Sequence, residues 1–135
     1  MTYPLSQKEL ESVSRLSIEA RLAHFVKRVA DWEEVWSLRN SEGGVLTLAT
    51  EGQEAAPFWP HPAYATACAQ DIWVDCEPQA IDLAAFMEKW LPGLAKEKKV
   101  VAVFPAPSSS GALIHPESLL QALVTECRES YGDDL

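Results

Sequence analysis

The spacing of apolar residues predicts two helices at the start of the chain. Ser6 and Glu9 have the spacing of a capping box, which predicts a short helix after Ser6. A longer helix is predicted from Ser17 onward, because the apolar residues that follow recur with the period of one helical face. These apolar residues are Ile18, Leu22, Phe25, Val26 and Val29. Arg21 falls off this apolar stripe.

The pattern changes to that of strands between residues 33 and 60. Turn-forming clusters at 40–44 and 51–53 separate three apolar runs of strand length. The three runs are Val35–Arg39, Val45–Thr50 and Ala55–Trp59. We therefore expect an antiparallel meander of three strands. Pro57 has no N–H to donate, so we expect it at a sheet edge or at a bulge.

Helices and strands alternate in the second half of the chain. His-Pro pairs at 61–62 and 115–116 each predict a helix start, because proline suits the first helical position. Asp82 is the predicted N-cap of another helix, which Pro92-Gly93 should end or kink. The other predicted elements are a helix over 63–70, strands Ile72–Cys76, Val100–Phe104 and Ala112–Ile114, and a final helix from Pro116.

These elements predict an α+β fold in a single domain over residues 1–135. We expect a mixed, mostly antiparallel sheet of about five or six strands, with helices packed mainly on one face. A chain of 135 residues with 47% hydrophobic content is large enough to bury its own core. No stretch has the composition or length of a linker between domains.

Charge narrows the classes of partner. Acidic side chains number 20 and basic ones 11, which gives a net charge of −9. The densest basic run is Lys96, Lys98 and Lys99, and Glu97 interrupts it. Phosphate backbones and anionic lipids require clustered cations, so we expect neither nucleic acid nor membrane as a partner. A basic protein partner is compatible with this charge, whereas the oligomeric state is left open.

Localisation is predicted from the first residues and from the cysteines. The N-terminus lacks a basic segment followed by an apolar one, and no apolar run approaches the ~20 residues that span a bilayer. The three cysteines, Cys68, Cys76 and Cys127, are odd in number and widely spaced. They are typical of reduced thiols, so we expect a cytoplasmic protein.

Residues that could hold a metal are His61, Cys68 and Cys76, which lie seven and eight positions apart. Neither gap matches the short spacing of zinc ligands, so we expect no metal. A Cys–His pair of Cys76 with His61 or His115 stays open, although acidic neighbours would oppose thiolate formation. The chain has no nucleophile elbow and no phosphate-binding glycine loop. We therefore predict no cofactor and no catalytic residue.

Aromatic residues supply the candidate contact surface. The chain has five Trp, and Trp59 stands next to Pro60 and His61 at a predicted strand-to-helix junction. Strand alternation places Phe58 and Trp59 on opposite faces, and we assign Phe58 to the core and Trp59 to the surface. Trp59, His61 and Tyr64 are thus the predicted ligand- or partner-binding residues.

Several landmarks resemble a known family. They are Val29–Trp36, Pro57–His61, Ala65–Cys68, Trp73, Glu77–Leu83, Phe86, Trp90–Leu94 and Val103–Pro105. Together they resemble the bacterial family called domain of unknown function 2750, over roughly residues 17–130. This resemblance implies no assigned activity, cofactor or catalytic residue. The layout alone, a meander before a Pro-aromatic strand end and a helix, also resembles the enhanced-serine-sensitivity protein family.

The sequence favours a small non-enzymatic interaction or regulatory module that acts through protein contacts. An immunity protein, which neutralises a toxin, is a special case suggested by small size and acidity. A small-molecule binding domain that uses the Trp59–Tyr64 region is the alternative, and an enzyme of unrecognised type is another. A pocket with a shifted pKa would favour the enzyme, and a flat apolar surface would favour the module.

Overall fold

The computed structural model describes residues 6–39, 48–50, 53–68, 76–105 and 111–131. Its helices are α1 (Gln7–Ser14), α2 (Ile18–Trp32), α3 (Pro62–Ala67), α4 (Leu83–Ala85), α5 (Leu91–Lys96) and α6 (Pro116–Tyr131). Its strands are β1 (Glu34–Arg39), β2 (Leu48–Thr50), β3 (Gln53–Phe58), β4 (Glu77–Asp82), β5 (Val100–Val103) and β6 (Ala112–Ile114). A π turn, Phe86–Trp90, joins α4 to α5. The fold is therefore α+β, as predicted.

The first two helices begin at the predicted serines. Ser6 Oγ accepts a hydrogen bond of 3.1 Å from Glu9 N–H, and Ser17 Oγ accepts one of 3.2 Å from Ala20 N–H. Each bond satisfies a backbone donor that has no partner within its helix. The predicted stripe of α2 is confirmed at Phe25, Val26 and Val29, which are buried. It is wrong at its start, because Ile18 is 43% exposed whereas Arg21 is only 3% exposed. The buried face of α2 is therefore rotated so that it includes the Arg21 side chain.

Six strands form two sheets where a single sheet was predicted. One sheet has the order β2-β3-β5-β6, in which β3 and β5 are parallel and the other pairs antiparallel. The other is the antiparallel pair β1-β4. A single antiparallel bridge between Trp36 and Trp59 connects the two sheets among the described residues. β5 is buried along its whole length, as its apolar sequence predicted.

The predicted meander is confirmed only in its second half. β2 and β3 form an antiparallel hairpin, although residues 40–47 lie outside the described part of the chain. The expectation that β1 would pair with β2 is wrong for the described residues, because β1 pairs along its whole length with β4. Strand β4 contains Pro78, and proline is rare within strands because it has no N–H to donate. Proline is tolerated there because β4 is an edge strand.

The segment from Leu83 to Lys96 stays helical past Pro92-Gly93, where we expected an end or a kink. Asp82 caps it as predicted, since its Oδ2 accepts a hydrogen bond of 3.1 Å from Ala84 N–H. Proline removes one helical hydrogen bond, and the widened π turn immediately before it shifts the bonding register. Leu91 N–H accordingly bonds Phe86 O.

Three other predicted elements have different outcomes. The predicted strand Ile72–Cys76 lies almost wholly outside the described residues. The predicted short strand Ala112–Ile114 and the helix that starts at Pro116 are both present. Among the described residues, no helix combines the length and apolar character that crossing a bilayer requires.

Candidate functional site

Trp59 is a core residue, and its predicted exposure is wrong. Its side chain is 0% exposed, as is that of Phe58. The indole Nε1–H donates a buried hydrogen bond of 2.8 Å to Pro105 O. Both neighbours can be buried because Trp59 lies just beyond β3, where it bridges to β1, so both of its sides are covered by protein. Alternation along a strand decides exposure only where one face of the sheet meets solvent.

His61 and Tyr64 lie together, but only His61 reaches the surface. His61 is half-buried and caps α3, because its Nδ1 accepts a hydrogen bond of 3.0 Å from Ala63 N–H. Its ring meets Tyr64 edge to face, with 6.3 Å between ring centroids. Tyr64 is 2% exposed. The three predicted contact residues are thus near one another in sequence, yet they form no common exposed surface.

A polar cluster surrounds the ring of Phe104. The ring centroids of Tyr64 and His24 lie 4.6 and 6.1 Å from its centroid, and the Arg21 guanidinium carbon lies 5.9 Å from it. Phe104 itself has a left-handed backbone with φ of 55°. Tyr64 Oη and His24 Nε2 are buried and have no hydrogen-bond partner among the described residues. We name this set, Arg21, His24, Tyr64 and Phe104, the Phe104 cluster.

Burial governs the titration of the Phe104 cluster. It raises the pKa of Tyr64, and Glu9 raises it further. Burial also lowers the pKa of His24, and the nearby Arg28 guanidinium acts in the same direction. Glu9 and Arg28 form an ion pair of 3.3 Å beside the cluster. Desolvation of the charged forms therefore keeps both rings neutral near pH 7.

Cys68 is the C-cap residue of α3, and its side chain contacts Pro105. Its Sγ donates a hydrogen bond of 3.3 Å to the same Pro105 O that Trp59 contacts. Burial raises its pKa to about 11, although Trp59 and Arg21 counteract this shift. The Cys68 thiol is therefore protonated at neutral pH, and a protonated thiol is less nucleophilic than a thiolate. Cys68, Cys76 and Cys127 form no disulfide, and no group of metal-ligating side chains occurs among the described residues.

An acidic depression of about 410 Å³ lies where five elements meet. Its lining residues are Glu33, Asp82, Leu83, Ala84, Met87, Glu88 and Leu120. They come from the C-cap of α2, the end of β4, the start of α4, the π turn and α6. Apolar side chains form part of the lining beside three carboxylates, and no cation lines it within the described part of the chain. We call this surface the acidic depression.

Backbone hydrogen bonds hold the acidic depression in shape. Glu33 ends α2 in a left-handed conformation with φ of 55°, and its carbonyl accepts a hydrogen bond of 3.0 Å from Leu83 N–H. Asp82 is held by its bond to Ala84 N–H and lies opposite Glu34 in the β1–β4 register. The carboxylates of Glu33 and Asp82 are therefore carried by fixed backbone positions.

A second depression, of about 480 Å³, lies at the start of α6. Lys98, Lys99, His115 and Glu117 supply its charged or titratable lining. Lys99 is already paired, 3.1 Å from Glu97 and 3.6 Å from Glu54. Its cation is thus neutralised by its neighbours, and this surface carries less excess charge than the acidic depression.

Sequence reasoning missed both the Phe104 cluster and the acidic depression. The cluster had a signal in the helical spacing of Arg21, His24 and Arg28, which puts three basic residues on one side of α2. The depression had none, because Glu33, Met87 and Leu120 are far apart in sequence.

The fold and site define a small α+β domain with a buried aromatic and polar centre and an open acidic depression. The chain belongs to the family described as protein of unknown function DUF2750, whose model matches residues 22–123. The resemblance of the sequence to this family, domain of unknown function 2750, is thereby confirmed. A search of curated proteins gave no match.

Proposed function

We propose that this protein is a non-enzymatic interaction or regulatory module that binds a partner protein at the acidic depression. The observation that carries the proposal is the combination of apolar and acidic side chains in the lining of one surface depression. Protein contact surfaces commonly have an apolar centre surrounded by polar residues. Met87 suits such a surface, because methionine side chains adapt to differently shaped partners.

The alternatives have less support from the geometry. A small molecule at the Trp59–Tyr64 region would have to reach two side chains that are 0% and 2% exposed. The Cys–His pair of Cys76 with His61 or His115 stays a prediction, whereas burial raises the pKa of the other candidate thiol, Cys68, to about 11. His61, which is half-buried, stays a predicted contact residue. An immunity protein in the cytoplasm is a special case of the proposed module.

The proposal is tested by photo-crosslinking at defined positions. A photoreactive amino acid replaces Ala84, an exposed residue that lines the acidic depression, and the protein is irradiated in its native cells. The matched control replaces Glu117, an exposed residue at the second depression. We expect a discrete crosslinked polypeptide from position 84 and none from position 117. No product at 84, or the same product at both positions, would contradict the proposal.

A further inference from the structure

The charges at the acidic depression indicate what chemistry a partner must have. Three of the seven residues that line it carry a carboxylate, namely Glu33, Asp82 and Glu88. Asp82 also lies directly opposite Glu34 across the β1–β4 pair. Like charges that lie opposite each other in a sheet repel one another. An incoming cation would therefore relieve repulsion as well as form new ion pairs.

The negative field extends along α6. The pKa of Cys127 is raised first by burial and then by Glu126 and Glu33. Glu33 thus acts electrostatically on a thiol that lies about two helical turns beyond Leu120 in α6. The net charge of the whole chain is −9, so the long-range field around this face is negative as well. A cationic partner would be steered toward this face by long-range attraction.

The apolar lining adds a second requirement. Leu83 is 6% exposed, while Met87 and Leu120 are half-buried and partly open to solvent. A wholly polar basic segment would leave these apolar surfaces uncovered. A segment with an apolar side chain between its cations would satisfy both features of the depression.

We propose that the occupant of the acidic depression is a basic segment of a partner protein. It inserts an apolar side chain over Leu83, Met87 and Leu120 and places lysines or arginines against Glu33, Asp82 and Glu88. This inference rests on the proposed function and names the partner's chemistry. A second copy of this chain fits poorly, because each copy carries the charge of −9 to the contact.

The test uses three short synthetic peptides with a fluorescent label and measures binding by anisotropy. The first alternates leucine and lysine at helical spacing, the second replaces lysine by glutamate, and the third replaces leucine by serine. We expect the Leu/Lys peptide to bind most tightly and to lose affinity as salt is raised. Failure of the Leu/Lys peptide to bind, or equal binding of the Leu/Glu peptide, would overturn the inference.

A charge reversal with a matched control locates the binding. Glu88→Lys should weaken binding of the Leu/Lys peptide roughly five- to tenfold, since one exposed attraction becomes a repulsion. Glu117→Lys changes the net charge by the same amount on the other surface, and should change affinity less than about twofold. Both residues are exposed, so neither variant removes core packing. Equal weakening by both variants would show unspecific attraction and overturn the inference.

The outcomes separate this inference from the proposed function. A polypeptide crosslinked at position 84 whose contact segment lacks lysine and arginine would leave the proposed function standing and overturn the basic partner. The crosslinked polypeptide could also be a second copy of this chain, with a concentration-dependent dimer in sedimentation that Glu88→Lys weakens. That result would likewise leave the proposed function standing and overturn the basic partner. A Leu/Lys peptide that binds at the depression, together with no crosslink at position 84, would overturn the proposed function.

Discussion

Trp36 and Trp59 exchange two backbone hydrogen bonds, of 2.9 Å from Trp36 N–H to Trp59 O and of 2.8 Å in the opposite direction. Among the described residues this pair alone bridges the two sheets. The Trp59 indole also donates to Pro105 O at the end of β5. Trp59 therefore connects β1, β3 and the chain after β5, which explains why it is buried at a position where the sequence predicted exposure.

Replacing Trp59 tests this role in stability. Trp59→Ala and Phe58→Ala should each lower the free energy of unfolding by about 3–5 kcal/mol, because both side chains are 0% exposed. Trp59→Phe, which keeps most of the packing but loses the bond to Pro105 O, should cost about 1–3 kcal/mol. Urea unfolding measures all three. The control is Trp32→Ala, at a side chain that is 37% exposed, and a loss as large as that of Trp59→Ala would contradict this role.

Two glycines should respond in opposite ways to alanine. At Gly111, with φ of 77°, an added Cβ would lie 2.9 Å from Pro105 N and would also clash with Val103 O, so Gly111→Ala should cost more than about 2 kcal/mol. At Gly93 in α5 nothing lies within 4 Å, so Gly93→Ala should stabilise the protein by roughly 0.5–1 kcal/mol. Thermal unfolding of both variants checks this. An unchanged stability of Gly111→Ala would show that the backbone there is not constrained, and a loss in Gly93→Ala would contradict the second half of the prediction.

Lowering the pH should decrease the free energy of unfolding, because His24 is harder to protonate in the folded protein. Its pKa in the folded protein is lowered from 6.5 by burial and by Arg28, so the unfolded chain binds the proton more readily. The contribution of His24 to stability is thus fully present above pH 6.5, its ordinary pKa, and is lost as the pH falls below that value. His24→Leu should show a smaller loss of unfolding free energy between about pH 7.5 and pH 5.5 than the wild type. His115→Leu, at an exposed histidine, is the control. An unchanged pH dependence in His24→Leu would exclude His24 as the source.

Cys68 should be protected from alkylation. Its pKa is about 11 in the folded protein against 9.0 for an ordinary thiol, so about a hundredfold less thiolate is present near pH 7. Its side chain is also only 8% exposed. Peptide mass spectrometry after a short iodoacetamide pulse should show Cys68 unlabelled in the native protein and labelled in urea. Native labelling of Cys68 at the rate seen in urea would contradict its burial.

Local signals predicted much of the fold. The caps at Ser6, Ser17 and Asp82 satisfy backbone donors within the same few residues, and the apolar run at β5 needs burial on both faces. The pairing of the strands was harder to predict from the sequence. The partner of β1 lies about forty residues away, in a segment where Pro78 disfavours a strand.

The candidate site was less predictable than the fold for a related reason. The sequence placed Trp59, His61 and Tyr64 together, and the structure does bring the His61 and Tyr64 rings close to each other. Their exposure depended on what covers them, which is Phe104 and Pro105 from the far end of β5. Leu120 reaches the acidic depression from α6 in the same way. Such juxtapositions arise from tertiary packing and leave no local pattern.

The parallel pairing of β3 with β5 affects the order in which the protein is completed on the ribosome. β3 ends at Phe58, whereas its neighbour begins only at Val100. A nascent chain therefore exposes one edge of β3 until β5 has emerged, and exposed strand edges attract chaperones or other chains. Translation that stops before Val100 yields a product without β5, one of the two inner strands of its larger sheet. The open edge of β3 is thus a structural difference between an unfinished chain and the finished protein.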